Sequence, residues 1–162
     1  MATKDEIRVM EVLNAVEVPA AAGPAIERWG NNAVTILCEV ALGTYAGIRF
    51  KVRTNAVALL GTLTHPQAME SVQLLIADRD DDVSIYAMRA AGRQKNPAAV
   101  AQLDTRLKRR DLPPLLAAEA VNALSAIDSR EARNVLKTYA AASPEEYPHR
   151  GSAVVRESLS KQ

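Results

Sequence analysis

The side chains able to do chemistry are few, and their spacing limits what they can do. Asp78, Asp80 and Asp82 alternate as the first ligands of an EF-hand loop do, a pattern that offers carboxylate oxygens to calcium. Val83 stands where that loop turns on glycine, and Arg89 where it needs a bidentate Glu. The triplet therefore reads as an acidic turn that caps a helix starting near Val83 and complements its dipole. Nucleophilic catalysis needs a Ser or Cys beside a base. Cys38 lies in an apolar run and reads as a small buried side chain, His65 precedes Pro66 as a turn residue, and His149 sits between Pro148 and Arg150 in a loop. Neither a metal-ligand spacing of Cys and His nor a glycine-rich phosphate loop occurs in the sequence. No catalytic residue, metal ligand or cofactor site is expected.

The remaining chemical signal is charge. Arg106, Lys108, Arg109 and Arg110 end one helical segment, and Arg49, Lys51 and Arg53 open another. Together they make the centre basic: residues 49–110 carry a net +5, against −3 for 1–48 and −1 for 111–162, in a chain of net charge +1. Such a patch is what phosphate-neutralising contacts to nucleic acid would use. The structural alternative is that cations favour helix C-termini, and Asp111 follows the run at once. No aromatic residues interleave with the run, which speaks against single-strand stacking.

The elements that must position these groups are helical. Alanine supplies 29 of the 162 residues, whereas there is one Phe, one Trp and four Tyr. A core of Ala, Leu and Val brings backbones close together, which packed helices tolerate well and sheets poorly. The composition excludes most all-β domains and aromatic base-stacking platforms, and Cys38 has no partner for a disulfide scaffold. Within the chain three segments align without gaps, Val52–Gly61, Val83–Gly92 and Leu116–Ser125. Apolar residues fill the first, fifth, sixth and ninth places of each, a helical stripe whose fifth member is always alanine: Ala56, Ala87 and Ala120. Gly61, Gly92 and Ser125 are expected near the end of each first helix, where a glycine can take the left-handed C-cap conformation and Ser125 is the poorest terminator of the three. Each is followed by a second start: His65-Pro66, Asn96-Pro97, and Asp128 with Glu131 as a capping box. Second stripes follow at Ala68, Met69, Val72 and Ile76, at Ala99, Val100, Leu103 and Leu107, and at Ala132, Val135, Leu136 and Tyr139.

The whole of 1–162 reads as one repeat domain, clearest over 49–78, 82–108 and 113–140, with 1–48 and 143–162 divergent or capping. Ile7, Met10, Leu13 and Val16 mark an N-terminal helix face, Val18–Pro24 a loop leading to a turn around Ile26 and Trp29, and Asn32–Leu42 a further helix. Thr44–Leu63 is expected as one long helix, Ser143-Pro-Glu-Glu146 as a helix start, and Ser152–Leu159 as a closing helix. The opening residues Met1–Glu6 lack an apolar stretch behind a basic start, and the reading is a soluble cytoplasmic chain, with a processed secreted or periplasmic form as the alternative.

On Val52-Arg53, Ala56, Leu60-Gly61, Leu63, Pro66, Ala68, Leu74-Leu75 and Asp78, followed by Asp82-Val83, Ala87, Gly92 and Pro97, the chain resembles the HEAT-repeat superfamily in its short-unit, bilin-lyase-like form. The resemblance implies an all-α, right-handed α-solenoid of about four to five helical hairpins whose second helices line a concave surface. Arrays of this kind are mostly binding scaffolds. The Arg that commonly follows a unit's first valine is present as Arg53 and replaced by Ser84 and Ala117, so no uniform ladder of inter-repeat salt bridges is expected. The second-helix stripes leave Glu70, Gln73, Asp104, Thr105, Asn134 and Lys137 facing away from the core, a mixed-sign surface suited to another protein. Protein binding is the expected role. Nucleic-acid binding by the basic centre and a bilin-lyase-like or glycosylase-like activity are the alternatives, and nothing in the sequence specifies an oligomeric state.

Overall fold

The computed structural model describes residues 1–15, 17–19 and 21–162, and every regular element among them is helical. Ten α-helices run in the order α1 (Lys4–Asn14), α2 (Ala22–Trp29), α3 (Asn31–Leu42), α4 (Phe50–Leu60), α5 (Pro66–Leu75), α6 (Asp81–Gln94), α7 (Val100–Leu107), α8 (Pro114–Ile127), α9 (Arg130–Ala141) and α10 (Ala153–Ser160). Short 3-10 turns at Pro97–Ala99 and Pro148–Gly151 lead into α7 and α10. The helices form two layers of an α-solenoid. In one layer α1, α4, α6, α8 and α10 pack side by side; in the other α3 packs on α5 and α7 on α9, with the 3-10 turn at Pro97–Ala99 bridging α5 to α7. Each of α3, α5 and α7 also packs against the first helix of the following unit, and α2 leans on α3 at the N-terminal end. No helix among the described residues is long and apolar enough to cross a membrane.

All twelve residues of the three aligned stripes are buried, with Ala56, Ala87 and Ala120 fully so. The apolar spacing therefore reports the seam between layers correctly. The glycines work differently from the expectation. Gly61 does end α4, but with ordinary right-handed helical angles, and Gly92 lies inside α6. Both serve close approach: a Cβ on Gly61 would come within 2.8 Å of the Ala90 Cα, and one on Gly92 within 3.1 Å of the Ala126 Cβ. Ser125 likewise lies inside α8. The left-handed terminal positions fall three residues further on, at Lys95 and Asp128. Asp128 thus ends α8, and Ser129 starts α9 by accepting from the Ala132 N–H.

Other boundaries shift for local reasons. The expected helix over Thr44–Leu63 begins only at Phe50, because Gly43 closes α3 at φ 77° and the chain loops before re-entering. Only glycine adopts such an angle without strain. The Val18–Pro24 loop is shorter than expected: α2 starts at Ala22, and Pro24 is harmless in a first turn whose N–H groups have no intrahelical partner. Ser143 accepts from the Glu146 N–H, but the segment makes a turn, and the last helix waits for Ser152 as its cap. In α1 the buried residues are Val9 and Leu13, while Ile7 faces solvent and Val16 lies outside the described residues.

Candidate functional site

The second-helix layer is built by three caps of different chemistry. His65 accepts from the Gln67 N–H through its ring, Asn96 from Ala98, and Ser129 from Ala132, each supplying an acceptor to a first-turn donor. With Ala68, Val72 and Ile76, with Ala99, Val100, Leu103 and Leu107, and with Ala132, Leu136 and Tyr139 buried, the opposite faces of α5, α7 and α9 are left to solvent. Glu70, Thr105, Asn134 and Lys137 are exposed; Gln73 and Asp104 are half-buried. Asp104 is paired with Lys108 at 2.7 Å, and the Thr105 hydroxyl donates to the Ala101 carbonyl at 2.9 Å. Among the described residues no hydrogen bond joins one of these six to another. They share a layer, spread over three helices, without converging on a point. Leu74, one of the family-like packing positions, is 63% exposed and shares a helix face with Glu70.

The basic centre divides when placed in space. Arg53 donates through Nε to the Ala41 carbonyl at 3.0 Å and pairs through Nη2 with Asp78 at 2.7 Å, tying α3 and α4 to the turn before α6. Arg109 is held by both oxygens of Asp111, Arg49 by Asn14, and Arg110 by the Glu145 carbonyl. Lys51 is exposed. Arg106, expected on the surface with its neighbours, is buried. One turn of α7 carries it inward, because Leu103 and Leu107 on the same side belong to the core. The seven cations therefore do not form one open patch.

The residues that spacing offered for catalysis take structural places. Asp80 is the N-cap of α6, accepting from the N–H groups of Asp82 and Val83, while Asp78 accepts from the Asp80 N–H. Among the described residues no three His, Cys, Asp or Glu side chains gather to hold a metal ion. Cys38 is buried, and burial pushes its thiol up. Trp29 packs half-buried at the N-terminal end with the Arg8 guanidinium 5.6 Å from its ring. His149 is more than the loop residue its neighbours imply. It is buried in a triangular cluster with Tyr139 and Tyr147, ring centroids 5.7, 5.8 and 6.1 Å apart, and bonded to the Tyr139 hydroxyl at 2.7 Å and the Arg109 carbonyl at 2.9 Å. A carbonyl only accepts, so Nε2 carries the proton and Nδ1 accepts from Tyr139. Burial pushes the imidazole below its ordinary value. The aromatic spacing Tyr139, Tyr147, His149 is the one signal in the sequence that marks this cluster.

Two stacked layers of paired helices, joined unit to unit, define a helical-repeat protein. The family model for HEAT repeats matches residues 70–155, just over half of the chain, from the middle of α5 to the start of α10. The chain belongs to the HEAT-repeat family, whose members are commonly protein-interaction scaffolds. A search of curated proteins finds no match.

Proposed function

We propose that this protein is a non-catalytic scaffold or adaptor that binds another protein through the outward faces of α5, α7 and α9. The observation that carries the reading is the row of mixed-sign polar side chains spread over three successive helices of one layer, Glu70 and Gln73, Asp104 and Thr105, Asn134 and Lys137. A surface that alternates sign and donor type over a long stretch complements a second polypeptide, whereas a polyanion calls for one sign throughout. The pairing of Arg53, Lys108 and Arg109 with Asp78, Asp104 and Asp111 lowers what the basic centre offers to phosphates.

Photo-crosslinkers placed at Gln73 and at Asn134 test the reading, with Asn122 on α8 as the control in the other layer. The expected result is a discrete crosslinked polypeptide from the first two positions, absent from Asn122 and lost in the double charge reversal Glu70→Lys, Lys137→Glu. Crosslinks to nucleic acid alone, or equal labelling from all three positions, overturn it.

A further inference from the structure

Arg106 is the one cation of the basic centre that the protein surrounds without neutralising. Its residue is only 7% exposed, and its Nε–H has no hydrogen-bond partner among the described residues. The contact it does make is a long one, 3.3 Å from Nη2 to the Ser84 hydroxyl, whose own proton is committed to the Ile76 carbonyl at 2.7 Å. Of the three carboxylates that act on it through space, Asp78 is taken by Arg53 and Asp111 by Arg109, and Asp81 makes no ion pair with it among the described residues. Burial first, and the Arg109 guanidinium second, disfavour its charge, which a guanidinium nonetheless keeps at any working pH.

This side chain lines a groove of about 250 Å³ between α7 and the end of α5, together with Ala77, Ala101, Gln102, Thr105 and Arg109. We propose that the groove is a carboxylate receptor, in which Arg106 takes the carboxylate of an acidic side chain on a bound polypeptide. The inference rests on the protein-binding reading above and names the chemistry of the partner. A planar guanidinium meets a carboxylate with parallel N–H donors, and here Nε–H, buried beneath the groove, is a donor still without a partner among the described residues. Ala77 and Ala101 offer apolar wall to the methylene stem of Asp or Glu. The Gln102 side-chain oxygen is also buried without a partner, and the amide turned over presents its NH2 to an anion at the same place. The charge balance selects a monoanion. Asp78 and Asp111 are committed to Arg53 and Arg109, and Asp81, which also acts on Arg106 through space, is in no ion pair among the described residues, so a phosphate dianion meets more repulsion there than a carboxylate does.

The test follows the arginine Nε–Hε resonances of the full chain in 15N-labelled protein, at constant ionic strength. Acetate is titrated against acetamide as its neutral isostere and against inorganic phosphate as the dianion. The expected result is a saturable shift of the Arg106 signal with acetate, no shift of Arg53, and at least tenfold weaker effects from acetamide and phosphate. Arg106→Lys assigns the signal. Ala101→Leu, at an exposed position, fills the groove while leaving the guanidinium in place, and is expected to weaken acetate binding at least tenfold with the melting temperature unchanged. A five-residue peptide blocked at both ends and carrying one central Glu is expected to bind more tightly than acetate, and its Gln counterpart not at all. An Arg106 signal that no probe moves would mean that Gln102, one turn earlier on α7, satisfies the guanidinium internally, and the receptor is overturned even if crosslinking still captures a polypeptide. Phosphate binding tighter than acetate overturns the monoanion assignment. A Glu peptide no tighter than acetate overturns the polypeptide occupant.

Discussion

The joint between α4 and α6 and the joint between α6 and α8 repeat one half of their chemistry and not the other. In both, a glycine at the tenth place of a first helix lies against the alanine at the eighth place of the next: Gly61 against Ala90, Gly92 against Ala123. The charged half differs. The earlier joint has Arg53 reaching back to the Ala41 carbonyl and forward to Asp78. At the later one Ser84 replaces that arginine and its hydroxyl serves the Ile76 carbonyl, while the ion pair moves along the helix to Arg89, held by both oxygens of Glu119 across α6 and α8. Arg106 fills the space beside Ser84 from the opposite layer without an ion pair of its own among the described residues. Backbone proximity is thus what each repeat interface requires. Each joint also carries an ion pair, but at a different place: Arg53 with Asp78 at the earlier one, Arg89 with Glu119 at the later.

The largest way to break the likeness between the joints is at the seam. Gly61→Val places branched carbon against the Ala90 backbone, which cannot give way as a flexible side chain does, and is expected to cost about 3 kcal/mol in urea unfolding. Gly92→Ala meets only a tight contact with the Ala126 methyl, and the gain of up to about 1 kcal/mol in helix propensity offsets it, so its midpoint should stay near that of the parent. Ala87→Leu, at a fully buried place between the layers, is expected to cost about 1 to 3 kcal/mol, and an unchanged melting curve would show the repeat register to be wrong.

The charged half is sharpened by one substitution made twice. Arg53→Met strands the Ala41 carbonyl and the Asp78 carboxylate and should destabilise by about 1 to 2 kcal/mol. Arg106→Met removes an unpaired buried cation and puts apolar surface among Leu103 and Leu107, so thermal unfolding should show no loss, or a gain. Equal losses at the two sites would mean that Arg106 has an internal counter-ion after all.

The smallest effect lies at the C-terminal end, where His149 joins the second of these units to the last. Its folded value is depressed below 6.5, so between that folded value and 6.5 the unfolded chain binds more protons than the native one. The contribution is complete above about pH 6.5 and is lost as pH falls through the folded value. Urea midpoints at pH 7.5 and 5.5 should therefore step downward, and His149→Phe should flatten the step. The carboxylates held low, Asp111 by Arg109 and Glu6 by its cap with Thr3, lose their contributions at more acid pH, which separates them from the imidazole.

Much of this was legible from residue types. The apolar stripes, the two-helix units and the caps at His65 and Asn96 all follow from helical spacing and from the needs of first-turn donors. The glycines misled because one residue type serves two purposes: the left-handed turn and the close approach look alike in sequence, and only the position of Ala90 and Ala123 across the seam separates them. Arg106 misled because Lys108, Arg109 and Arg110 make it look like part of a cationic helix end. The signal that was there is the serine at 84, since a unit that omits its own arginine leaves room for one from elsewhere. The six second-helix residues could be assigned to a face, but a face is not a site, and their partner is not written in their spacing.

The chain's aromatic poverty has an optical consequence. Its only tryptophan, Trp29, sits against Arg8 at one end of the stack, while Tyr139 and Tyr147 cluster with His149 at the other. The protein therefore carries a fluorescent label at its beginning and a near-ultraviolet dichroic label at its close. In a stack stabilised neighbour by neighbour, the two signals can lose their native values at different denaturant concentrations. The gap between their midpoints reads out, without any added probe, how many units melt together.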